Sequence, residues 1–148
     1  MQTIESGTRA VTADVDPKGL VRSYYEEVLT QQRIDRLDKL LDPRFRSYGS
    51  SGASSNREEY RAAVAATLAA FPDLTVMVEE QVAERDLVAT RWTATGTHHG
   101  ALFGIEPTRR TVRVSAMHMH RIKGGQLIEH WEVIDLHGLL AQLTGTDS

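Results

Sequence analysis

The hydrophobic period of this chain changes once, near Leu74, and that single change restricts its fold more than any other feature. Before Leu74, apolar residues recur every three or four positions, as on one face of a helix; after it they alternate, as on one face of a strand. Helices first and strands after, with no strand-helix alternation, predict α+β: helices packed on one face of a curved antiparallel sheet. At 148 residues the chain has the size of one domain, enough for a core and one ligand-sized cavity.

Residues 1–15 lack periodicity and are expected to be a flexible tail, leaving 16–148 as the domain. Asp16-Pro17 has the form of an N-cap followed by proline at the first helical position. Leu20, Val21, Tyr24, Tyr25 and Val28 then predict a helix over 17–31. Ile34, Leu37, Leu40 and Leu41 predict a second, ended by Asp42-Pro43 because the residue before proline avoids the α region. Phe45–Tyr48 is a short alternating segment, and the Gly/Ser-rich stretch 49–55 has the composition of a lid loop. Ser55 or Asn56 can cap a third helix over 56–71, with Tyr60, Val64, Leu68 and Phe71 as its buried stripe. Strands are expected near 74–83, 87–98, 110–122 and 126–135 as a meander, with a tight turn at Lys123-Gly124-Gly125 and a last helical turn or two at 136–143.

Several function classes fall away on composition. There is no cysteine, so disulfides, thiolate nucleophiles and Cys-based metal sites are excluded. The 17 basic and 20 acidic residues are scattered, giving a net charge of -3 without the basic stripe that nucleic acid requires. Glu5, Arg9, Asp14 and Asp16 interrupt any early apolar run, so no membrane segment is expected and the protein reads as cytoplasmic. Dinucleotide, P-loop, nucleophile-elbow and zincin motifs are missing.

Chemistry must therefore come from oxygen and imidazole. All six histidines (98, 99, 118, 120, 130 and 137) lie in the strand half. His118 and His120, two apart, project from one face of their strand, and His130 and Glu132 share a face of the next, which sets an imidazole beside a carboxylate as proton transfer requires. The same histidines also fit hydrogen-bonded packing positions, or a metal site built on the His118/His120 pair. We expect no metal and no organic cofactor. Among the aromatic residues, Tyr48 is the stronger pocket candidate, while Tyr24, Tyr25, Trp92 and Trp131 also suit an ordinary core.

Four segments, in order, carry a resemblance: Leu20-Val21-Arg22-Ser23-Tyr24-Tyr25-Glu26-Glu27-Val28, Ala70-Phe71-Pro72-Asp73-Leu74, Arg91-Trp92-Thr93-Ala94-Thr95-Gly96-Thr97-His98 and Ile128-Glu129-His130-Trp131. From about Pro17 to Leu143 the chain resembles the SnoaL-like polyketide cyclases of the nuclear-transport-factor-like superfamily. That resemblance implies a cone-shaped sheet with helices on its concave face, a small-molecule substrate, cofactor-free acid/base chemistry and a homodimer through the sheet's outer face. It places the family's acid/base carboxylate at Glu132 and its histidine at His118, with Ala116 where the aldol cyclases carry a glutamine. Relatives that open an epoxide to form an ether ring instead pair the glutamate with a histidine matching His98. Tyr48, Tyr25, Trp92, His120 and His130 complete the expected substrate-binding set. A superfamily that also includes non-catalytic modules leaves a ligand-binding role as the other alternative.

Overall fold

The computed structural model describes residues 16–146; the tail expected over 1–15 lies outside the described residues. Helix α1 begins at Pro17 as the sequence predicts, with the Asp16 carboxylate accepting from the Gly19 N–H at 3.2 Å. From Tyr24 to Thr30 it widens into π-helical turns, and the Gln31 N–H reaches back five residues to the Glu26 carbonyl. The widening buries the adjacent Tyr24 and Tyr25 together against the sheet.

Helix α2 (Ile34–Leu40) stops before Pro43, and strand β1 (Leu41–Gly49) follows without a loop. The chain turns over 50–53, and β2 (Ser54–Asn56) pairs back on β1, so part of the expected lid loop is a strand. Helix α3 (Arg57–Ala70) opens on the predicted capping box: the Asn56 side chain accepts from the Glu59 N–H, and the Glu59 carboxylate accepts from the Asn56 N–H. It buries Tyr60, Val64 and Leu68, as its spacing implies.

Strands β3 (Thr75–Glu84), β4 (Leu87–Thr97), β5 (Thr111–Lys123) and β6 (Gln126–Ile134) form the expected antiparallel meander. Gly124 and Gly125 both take positive φ between paired Lys123 and Gln126, the backbone a two-residue hairpin turn requires. One feature differs from the expectation of an antiparallel sheet. β1 pairs with β6 in parallel, so the six-stranded sheet, in the order β2-β1-β6-β5-β4-β3, is mixed. The direct α2-to-β1 junction, with Pro43 holding the chain extended, brings β1 onto the free edge of β6 in that direction. Helix α4 (Leu136–Thr144) closes the end of the sheet through Leu139 and Leu143. The core lies between the helices and one sheet face, where Val21, Tyr25, Val28, Leu37, Phe45 and Val88 are almost completely buried.

Candidate active site

Strand register assembles the site. Thr90, His118, Glu132 and Gly49 stand opposite one another across β4, β5, β6 and β1, and two residues along, on the same face, come Val88, His120, His130 and Ser47. One row thus carries an imidazole and a carboxylate, and the next carries two imidazoles.

In the first row, His118 Nε2 lies 3.4 Å from Glu132 Oε1. His118 Nδ1 is hydrogen-bonded at 2.9 Å to the Tyr25 hydroxyl, delivered by the π-helical segment of α1. Burial pushes the Tyr25 phenol up, with Tyr24 adding to the shift, so Tyr25 stays protonated and fixes the ring of His118. His118 is nearly inaccessible, while the Glu132 side chain is about one-third exposed, at 34%. In the second row, His130 Nδ1 bonds the Ser47 hydroxyl at 2.9 Å, and His130 Nε2 is 3.9 Å from the same Glu132 oxygen. Burial, followed by the proximity of His118, holds His120 and His130 well below the usual imidazole range, so both are neutral near pH 7.

His118 and Glu132 open onto a cavity of about 440 Å³ between the sheet and the helices, a volume suited to a small organic ligand. Its walls are mostly apolar, with Leu29, Val64, Phe71, Val114 and Leu139 among them. Polar groups are few: Tyr24 and Tyr60, whose hydroxyls bond at 2.6 Å, and Trp92, whose buried indole N–H has no protein partner. Burial drives both phenols far above their usual range, so they serve as neutral hydrogen-bonding groups. Exposed Ser50, Ser51 and Phe103 lie where the cavity meets solvent. The latter belongs to the 98–110 loop, fastened to α3 by the Gly100 N–H and Ala70 carbonyl; a side chain at Gly100 would collide with Ala69.

Of the residues predicted from sequence, Glu132, His118 and Trp92 line the cavity and Tyr25 supports it from behind. His120 and His130 are buried under it and do not line it. Two expectations are corrected. Tyr48 lies on the opposite sheet face, its ring stacked on Trp131 at 5.7 Å, because it is offset by one residue from inward-facing Ser47. His98 does not line the cavity either. Its Nδ1 accepts from the Thr108 N–H at 3.1 Å and staples the 98–110 loop, beyond the Thr97–Thr111 end of the ladder. His118 lies seven residues further along β5, about 23 Å at the usual strand rise. Tyr60, read from sequence only as a helix stripe residue, and Ser47 belong to the site; nothing in their spacing marked them as polar partners across the fold.

An α+β architecture with a mixed, curved, open sheet and an apolar cavity against it is the class the fold and site define. Residues 19–143 match the sequence model of the SnoaL-like polyketide cyclases. The chain belongs to that family. Among solved structures, it superposes on AclR from Streptomyces galilaeus, provisionally assigned as a hydroxylase, at 28% identity over 89% of this chain and 87% of the other, with a TM-score of 0.81. IdmH from Streptomyces antibioticus, provisionally assigned as a polyketide cyclase, gives 30% identity over 87% and 99%, with a TM-score of 0.77. A SnoaL-like protein from Jannaschia sp. CCS1 gives 26% identity over 86% and 91%, with a TM-score of 0.80. Among curated proteins, none matches the chain. Within the described residues, no helix is long and apolar enough to cross a membrane.

Proposed function

We propose that the protein is a cofactor-independent cyclase that closes a ring within a polyketide-like small molecule by general acid/base catalysis at Glu132 and His118. The observation that carries this reading is their adjacency on the wall of an otherwise apolar cavity, with Nε2 and Oε1 3.4 Å apart and the far side of the imidazole held by Tyr25.

In an aldol closure, the Glu132 carboxylate removes a proton from carbon next to a substrate carbonyl, and the electron pair moves onto that carbonyl oxygen. With the Tyr25 hydroxyl donating to Nδ1, the Nε2–H of His118 donates a hydrogen bond to the enolate oxygen. The enolate carbon then attacks a second carbonyl of the same molecule. The alkoxide formed takes the proton back from Glu132, so the catalyst is restored and no atom leaves. The apolar wall excludes water, which strengthens each of these contacts and holds the two carbonyls within reach of one another. An epoxide-opening reaction using Glu132 with His98 has less support, since His98 closes a loop remote from Glu132.

The test is incubation of chelator-treated protein with linear polyketide-like substrates bearing two carbonyl groups. A cyclised isomer of unchanged mass is expected. Binding without conversion across such substrates would overturn the reading in favour of a ligand-binding module.

A further inference from the structure

At the cavity wall and just beneath it, three histidines from two strands meet. One ring nitrogen from each of His118, His120 and His130 lies within 4.8 Å of those of the other two. The His118–His130 and His120–His130 ring centroids are 4.4 and 4.8 Å apart. Each ring also has a buried nitrogen with no hydrogen-bond partner: Nε2 of His118, Nδ1 of His120 and Nε2 of His130. An unpaired polar atom in a dry interior is costly, and three of them side by side indicate a common acceptor of lone pairs. We infer that His118, His120 and His130 form a binding site for a d-block divalent cation of the zinc type, with Glu132 placed as a fourth ligand.

The chemistry of the donors fits that cation. Neutral imidazole is the favoured ligand of zinc and its neighbours, whereas magnesium and calcium prefer all-oxygen sites. The outer partners are also of the right kind. Tyr25 and Ser47 bind the Nδ1 atoms of His118 and His130, and a hydroxyl accepts an N–H as readily as it donates, which leaves both Nε2 lone pairs pointing inward. Glu132 Oε1, 3.4 and 3.9 Å from those two Nε2 atoms, is already near the spacing of about 3.4 Å between ligands of a tetrahedral zinc ion. The nitrogens need to close from at most 4.8 Å to that spacing. Entry is from the cavity, past the one-third-exposed Glu132.

A bound cation occupies His118 Nε2 and Glu132, so the cation-bound state and the cofactor-free acid/base state exclude one another; the binding test contains no substrate, and its outcome is therefore separate from that of the acid/base reading. Tag-free protein is stripped with chelator, dialysed and titrated with Zn²⁺ by calorimetry and with Co²⁺ by visible absorption. One equivalent is expected to bind, with the intense d–d bands of four-coordinate cobalt. His120→Asn and His130→Asn are each expected to weaken binding by at least about 100-fold, since even loss of an outer partner costs 10–100-fold. Should either variant fail to fold, ¹⁵N-histidine NMR of the unmodified protein reads the same question: Zn²⁺ should shift the ring signals of three histidines and leave His98, His99 and His137 in place. Less than a tenth of an equivalent bound, unchanged binding in both variants, or shifts confined to the other histidines would overturn the site.

Discussion

Glu132 and His118 face each other across the β5–β6 ladder as direct Cα partners, and their side chains meet at 3.4 Å on the cavity wall. Neither residue reaches the other through a loop. Both are held by a continuous sheet, the rigid support that a proton-transfer pair needs.

The removal of the titratable group is the sharpest test of this pair. Glu132→Gln keeps the shape and hydrogen-bonding capacity of the side chain, so substrate affinity should be largely retained while turnover falls roughly 10²–10⁴-fold, the usual worth of a positioned acid or base. Steady-state kinetics on a confirmed substrate decide it; turnover near that of the parent enzyme would move the chemistry to the histidines.

His118→Ala and His98→Ala should part company. The first removes the oxyanion donor and should lower kcat, whereas the second unfastens Thr108 and should cost about 1–3 kcal/mol of stability without changing turnover per folded molecule. Thermal denaturation beside kinetics separates the two effects. A kcat loss in His98→Ala that exceeds the loss in His118→Ala would restore the epoxide-opening pairing.

Tyr25→Phe should act through His118. The phenylalanine fills the same space but leaves Nδ1 without its 2.9 Å partner, so the ring loses its fixed orientation. A drop in kcat of about 10- to 100-fold with little change in KM is the expected signature of a misplaced catalytic group. An unchanged kcat would show that the hydrogen bond serves packing alone.

The metal-free protein should lose stability as acid is added from about pH 6.5 downward. His120 and His130 are held below the usual imidazole value when folded, first by burial and then by His118, and regain an ordinary value near 6.5 when unfolded. The unfolded chain therefore binds more protons in this window. Stability is fully present above about pH 6.5 and declines as pH falls toward the depressed folded values. Chemical denaturation between pH 8 and 5 measures the slope, which His120→Asn should reduce; an equal slope in that variant would assign the acid sensitivity elsewhere.

The outer sheet face leads to an expectation about assembly. Met117, Met119 and Val133 alternate with the inward histidines and Glu132, and they are 54, 41 and 63% exposed. Such apolar side chains on an uncovered sheet face suit a second copy of the chain. Light scattering at micromolar concentration should give a dimer, and Met119→Asp should shift it toward monomer. A monomer in the parent protein would exclude this surface as a homodimer interface.

The sequence by itself determined the order of elements. Period 3.6 before Leu74 and period 2 after it, the Asp16-Pro17 and Asn56/Glu59 caps and the Gly124-Gly125 turn are local signals, written within a few residues of the structure they produce. The pairing of His118 with Glu132 is not among them: the turn alone, with Lys123 opposite Gln126, would set His118 across from Trp131, and a register shift between Arg121 and Ile122 brings Glu132 there instead. Tertiary structure alone decided the rest. The parallel addition of β1 to β6 carries Ser47 to His130, a contact between residues 83 apart that no spacing encodes. It also settles that Tyr48 faces away from the cavity, because a residue one position from an inward-facing neighbour points outward. His98 lay at the end of a strand and could be read into the pocket, until the fold spent its Nδ1 on Thr108. Tyr25 becomes the partner of His118 only because α1 widens over the sheet. Local backbone chemistry writes the elements, whereas long-range packing determines which polar atoms meet.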